Sequence, residues 1–191
     1  MRTPLRFHIA GTLVLLSSGA FAQSAPEHLI VPPPKDWVAL PINKQGNMTV
    51  VQMLPAGESP QDFRESIVVQ RQDGEKKSPK DYVMSVIDGS KSHCEGIISS
   101  PINERPVNGY KAAEVRFACT KSSRTGKSGL MMVKAIAGND ALHVVQRIWL
   151  GAPVAPSQPV PVPDTVIDSW DAFDAFIVLC DSRDAKHACP K

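Results

Sequence analysis

Four cysteines constrain this chain more than any other feature: Cys94, Cys119, Cys180 and Cys189. An even count reads as two disulfides if the chain reaches an oxidising compartment. The N-terminus supplies that condition. Arg2 and Arg6 give a positive start, Ile9 to Leu16 is a short apolar run, and Ala20-Phe21-Ala22 places small residues where a signal peptidase cuts. The run is too short to span about 30 Å of hydrocarbon, which takes ~20 residues. We therefore expect residues 1–22 to be a cleaved signal peptide, with a mature chain starting at Gln23. No cysteine follows that point closely, so an N-terminal lipid is not expected. The mature chain should be soluble, periplasmic or secreted, with no transmembrane segment.

Charge says little more. The chain holds 21 Lys plus Arg against 19 Asp plus Glu, and the excess of +2 consists of Arg2 and Arg6. The mature chain is then formally neutral, which argues against a polyelectrolyte or a dedicated nucleic-acid binder. With 42% hydrophobic residues there is material for a core.

Four cysteines allow three connectivities, and the pattern favours one. In residues 110–120, Ala113, Val115, Phe117 and Cys119 share one face of an alternating strand, with Glu114 and Arg116 on the other. Residues 94–101 form a short segment around Ile97-Ile98, and turn formers fill the interval. An antiparallel hairpin with Ile98 opposite Val115 sets Cys94 opposite Cys119, at Cα separations of ~4.5–5.5 Å. Cys180 and Cys189 are left to tie the C-terminal tail to the end of a helix. A metal site is the competing reading, since His93 and His187 lie near cysteines. No CxxC or HxxxH spacing supports it, so no metal and no cofactor are expected.

The rest divides as follows. Residues 23–36 are a Pro-rich, extended lead-in, and residues 37–181 make one domain. Strands are expected over Trp37–Ile42, Met48–Leu54 and Phe63–Arg71, with a turn at Asn43–Asn47. A helix runs from Ser78 to Asp88, with Ser78 as cap, Pro79 in the first turn and Gly89 as its stop. The cysteine hairpin supplies two more strands. Leu130–Ala137 and Ala141–Leu150 add two, joined through Gly138-Asn139-Asp140. A Pro-rich connector over residues 152–163 leads to a second helix over Asp164–Asp181, with apolar residues at 166, 170, 173, 177 and 180. Residues 182–191 are a tail. The expected class is α+β: a mainly antiparallel sheet of six to seven strands with two packing helices.

WVAL, then MTVVQMLPAGES, then SIVVQR, followed by a helix, antiparallel strands and a C-terminal helix, resembles the PsbP-like superfamily. That superfamily includes the DcrB-like proteins of bacterial envelopes. The resemblance covers about residues 35 to 181 and is one of architecture. It implies an accessory or binding protein without shared catalytic residues. The Pro-rich connector and the cysteines depart from it.

Local motifs give no catalytic set. Thr125-Gly126-Lys127-Ser128 ends like a phosphate loop but lacks the first glycine, where Lys121 stands. His93-Cys94-Glu95 lacks the Pro-Cys-x-x-Cys half of a zinc deaminase. Two groups remain as candidate binding residues. The basic turn holds Lys121, Arg124 and Lys127, with Arg116 and Lys134 on neighbouring strands. The last strand places His143, Arg147 and Trp149 on one face. The turn reads either as a site for an acidic partner or as a solvated hairpin end. The row reads either as a Trp–Arg binding pair or as core beneath a helix. Expected partners are another envelope protein or a small ligand. The functional expectation is a non-catalytic envelope binding or accessory protein. Its alternatives are an immunity-type inhibitor of an envelope-targeted toxin and a hydrolase whose serine or cysteine meets His143 or His28 only in space.

Overall fold

The computed structural model describes residues 27–190. The expected signal peptide and its cleavage site lie outside the described residues. In chain order the first elements are β1 (Glu27–Ile30), β2 (Trp37–Ala39), β3 (Asn43–Gln45), β4 (Met48–Pro55), β5 (Glu65–Asp73) and α1 (Pro79–Lys91). They are followed by β6 (Ile97–Ser99), β7 (Ala112–Cys119), β8 (Ser128–Ala137), β9 (Ala141–Gly151), α2 (Asp164–Ala175) and β10 (Val178–Asp181). A single 3₁₀ turn, Ala185–His187, closes the tail.

Short connections between alternating runs produce hairpins, and hairpins produce antiparallel pairs. Strands pair in the order β2-β4-β5-β9-β8-β7-β6, with β3 also on β4, giving eight strands. The fold is thus α+β with a mainly antiparallel sheet and two helices, with more strands than the sequence promised. Alternation along β9 sorts the two faces. Leu142 and Val144 join Val83 of α1, with Val115, Phe117 and Val133, in one apolar cluster. Val145 and Trp149 join Trp170 and Phe173 of α2 in the other.

The helices hold by different means. Ser78 caps α1: its hydroxyl accepts from the Asp81 amide at 3.1 Å and donates to the Asp81 carboxylate at 2.6 Å. Such a cap is worth about 1 kcal/mol. α2 has Pro163 at its cap and no side-chain capping bond. Packing holds it instead, above all Trp170, which is wholly buried and contributes roughly 2–3 kcal/mol.

Several sequence expectations need correction. The second helix stops at Ala175, and Val178–Asp181 is a strand, because β1 offers it a partner. The Pro-rich lead-in therefore contains a strand. Glu27 pairs with Asp181 and Ile30 with Val178 in a separate two-stranded ribbon. Asn43–Gln45 is an edge strand rather than part of a turn, and the extended run from Trp37 breaks after Ala39. α1 runs through Gly89 to Lys91. Both disulfides form as expected, Cys94 with Cys119 and Cys180 with Cys189. The hairpin register behind the first differs by three residues: Ile98 faces Ala118, and Cys94 lies beyond the strand, bridged to Ser122. The cysteine Cα atoms are still 5.5 Å apart, so the bond spans a diagonal instead of a direct pair.

Candidate functional site

β7, β8 and β9 are in register so that two apolar rows end at the β7–β8 turn. Phe117, Met131 and Ile148 form one row, and Cys119, Gly129 and Leu150 the next. α1 ends at Lys91, and the chain turns away through Ser92 and His93. The sheet end beyond it stays uncovered, and Phe63 closes one side. The result is a cavity of about 260 Å³ with a predominantly apolar wall. Gly129 is required here: a Cβ would come within 2.8 Å of the Trp149 carbonyl oxygen. Its missing side chain also leaves the second row open.

The basic turn forms the rim, with Arg124, Thr125 and Lys127 among the lining residues. The Cys94 segment anchors it. Besides the disulfide, Ser123 donates to the His93 carbonyl at 2.8 Å and Glu95 to that of Lys121 at 3.0 Å. Within the turn, Gly126 takes φ +70° and donates to the Ser122 carbonyl at 2.7 Å. Lys127 and Ser128 lead into β8, not into a helix.

The three cations of the turn are not equivalent. Lys121 pairs with Glu95 at 2.7 Å and Lys127 with Asp62 at 3.1 Å. Arg124 meets no carboxylate among the described residues; its guanidinium donates to Nε2 of His93. A larger, shallower hollow adjoins on the other side of Phe63 and Lys127. Its Glu58 and Asp62 balance Lys127 and Arg64, and it has no comparable apolar wall.

The other residues singled out from sequence lie elsewhere. Arg116 is on the α2 face, pairing with Asp171 at 2.6 Å, and does not extend the turn's patch. Lys134 is buried on that face with Glu114 at 3.1 Å and Asp174. Burial outweighs Lys134 at Glu114 and raises its carboxyl above the ordinary range.

The row of His143, Arg147 and Trp149 is interior. Arg147 is 4% exposed and lies under α2, donating to the Ser169 carbonyl at 3.0 Å and to Glu65 at 3.2 Å. The rings of Trp37, Trp170 and Phe173 surround it at 5.1–5.9 Å. Burial lowers its pKa, against the pull of Glu65. Trp149 is 8% exposed and belongs to the same cluster. His143 is buried, its Nε2 3.7 Å from Glu27 of β1, and burial followed by Arg71 holds its pKa below the usual histidine value. Glu27 in turn accepts from the Asn139 amide at 2.6 Å, fixing the β8–β9 turn. No serine or cysteine among the described residues hydrogen-bonds to His143 or His28, and every cysteine is in a disulfide. Nor does any described group of histidine, cysteine and carboxylate side chains form a metal cluster.

Of the sequence candidates, the structure thus brings Lys121, Arg124 and Lys127 together and separates them from the rest. Sequence reasoning missed the cavity itself, whose walls come from β7, β8, β9 and the loop before β5. Alternation groups Phe117 with Cys119 and Ile148 with Leu150. Only the cross-strand register shows that these pairs adjoin.

No family model matches the sequence, and no curated protein matches it significantly. Similarity appears among solved structures. One is LpqN of Mycobacterium tuberculosis, described as involved in cell envelope biogenesis. It superposes with a TM-score of 0.51 at 16% identity, over 83% of this chain and 87% of that one. Another is PA94 of Pseudomonas aeruginosa, a protein of unknown function described as a putative regulator. It has a TM-score of 0.45 at 14% identity, over 78% of this chain and 92% of that one. The likeness to LpqN is one of fold.

Proposed function

We propose that this chain is an exported, non-catalytic binding or accessory protein of the cell envelope, acting through the apolar cavity at the β7–β8 turn. The observation that carries the reading is the pairing of an apolar wall with a cationic rim, pinned by a disulfide. Small-molecule sites have this composition: mostly apolar walls with a few placed polar groups. Two disulfides fit an oxidising, extracytoplasmic location. No helix among the described residues is long and apolar enough to cross a membrane. In this reading residues 1–22 direct export, and the mature chain, cut after Ala22, acts in the periplasm or the medium. The involvement of LpqN in cell envelope biogenesis supports the same setting. The strand order and flanking helices are compatible with a PsbP-like or DcrB-like architecture.

The test is photo-crosslinking in intact cells with a reactive amino acid at position 125, on the cavity rim. An adduct with an envelope component is expected, and Met131→Trp, which fills the cavity, should abolish it while the protein stays folded. Adducts that persist unchanged in the filled variant would sink the reading. So would turnover of a substrate by the purified protein with no adduct at all.

A further inference from the structure

We propose that the cavity takes a single-chain amphiphile with one negative charge, a fatty carboxylate of about ten carbons. This rests on the cavity reading above and names its ligand. Size sets the tail: 260 Å³ holds roughly nine groups of water or methylene size. The walls set its chemistry. Phe117, Met131, Ile148 and Leu150 offer carbon surface, and the Cys94–Cys119 bridge adds two sulfurs without charge.

The rim sets the head group. Glu95 and Asp62 already neutralise Lys121 and Lys127. Arg124 alone carries a charge that no described carboxylate compensates, and its contact with His93 uses one donor of five. One uncompensated guanidinium matches one negative charge. Its planar fork suits a carboxylate, which accepts two parallel N–H bonds. A dianionic phosphate would need a second cation, and the other one lining the cavity, Lys127, is already paired with Asp62. A neutral amphiphile would make no use of the guanidinium's charge. A polypeptide chain would need a longer groove than this cavity of about 260 Å³ provides.

Calorimetric titration of the exported, disulfide-intact protein tests this. Decanoate is expected to bind, and decanol to bind about tenfold more weakly, the value of one charge-assisted hydrogen-bonded contact. Acetate, with the head but no tail, should not bind measurably. Arg124→Gln should bring decanoate down to the level of decanol, and Lys80→Gln, on α1, should change nothing. Equal binding of decanoate and decanol, or decanoate binding unaffected by Arg124→Gln, overturns the proposal. If decanoate fails to bind while Met131→Trp still abolishes the cellular crosslink, the ligand class is wrong and the cavity reading stands. If Met131→Trp leaves the crosslink intact, both fall together.

Discussion

Replacing Arg147 with methionine should be among the most damaging single changes the fold can suffer, although the side chain was a candidate for binding. The charge sits under α2, 4% exposed. It donates to the Ser169 carbonyl at 3.0 Å, the Ser169 hydroxyl at 3.1 Å and Glu65 at 3.2 Å. Methionine keeps much of the apolar stem among Trp37, Trp170 and Phe173, so little packing is lost. What is lost is the partner of Glu65, which retains only the Trp170 indole N–H at 3.5 Å. Removing one member of a buried ion pair costs about 3–5 kcal/mol. With a urea slope near 2 kcal/mol/M, the unfolding midpoint should fall by roughly 2 M. Glu65→Gln in the same chain removes the stranded charge and keeps an acceptor for Trp170. The double variant should therefore recover at least about 1 kcal/mol of the loss. Urea melts followed by tryptophan fluorescence measure all four corners of the cycle. A single-variant loss below about 1 kcal/mol, or strictly additive effects, would refute the view that Arg147 is a docking post for α2.

Other consequences are open to measurement. Replacing Cys94 and Cys119 together by serine should cost about 3–4 kcal/mol, and Cys180 with Cys189 about 2–3, because the first pair closes the longer loop, with a separation of 25 against 9 residues; thermal melts under non-reducing conditions rank them. Stability should fall as pH drops below 6.5, where the unfolded chain protonates His143 and the folded one resists. It should fall again above pH 10, because burial pushes Tyr110 up to about 12 and only the unfolded chain ionises early. His143→Gln should flatten the acid limb alone. Gly138→Ala should lose about 1–3 kcal/mol, because the added Cβ would collide with the buried Glu27 carboxylate; a chemical melt checks it.

Local pattern carried the sequence reading as far as local pattern reaches. The faces of β9 were legible, since alternation alone separates Leu142 and Val144 from His143, Val145 and Arg147. Which face α2 would cover was not, and that decided whether Arg147 and Trp149 met solvent. Ile177 and Cys180 continue the helical spacing of Trp170 and Phe173, so periodicity could not mark the stop at Ala175. The competing signal was the β-branched pair Ile177-Val178, and it prevails because β1, more than a hundred residues away, offers hydrogen bonds. The cysteine pairing survived a wrong register because a disulfide tolerates a diagonal at similar Cα distance. The basic turn was legible from its Ser/Gly/Lys composition. The cavity beneath it was not, since no window of sequence contains its walls.

The pairing of β1 with β10 also has a meaning in time. A chain made from its N-terminus carries Glu27–Ile30 without a partner until Val178–Asp181 has emerged. The eight-stranded sheet, which ends at Gly151, can assemble before that. Closing the ribbon is therefore a late long-range event, followed only by the tail's contacts to Asn108 and Tyr110 among the described residues, and it joins nearly the full length of the described chain into one loop. Until then His143 lacks Glu27, and the Asn139 amide lacks its carboxylate acceptor. The newborn protein can thus hold its sheet formed while its first strand is still loose. A chaperone or protease that recognises extended segments would meet Glu27–Ile30 in that interval and not afterwards.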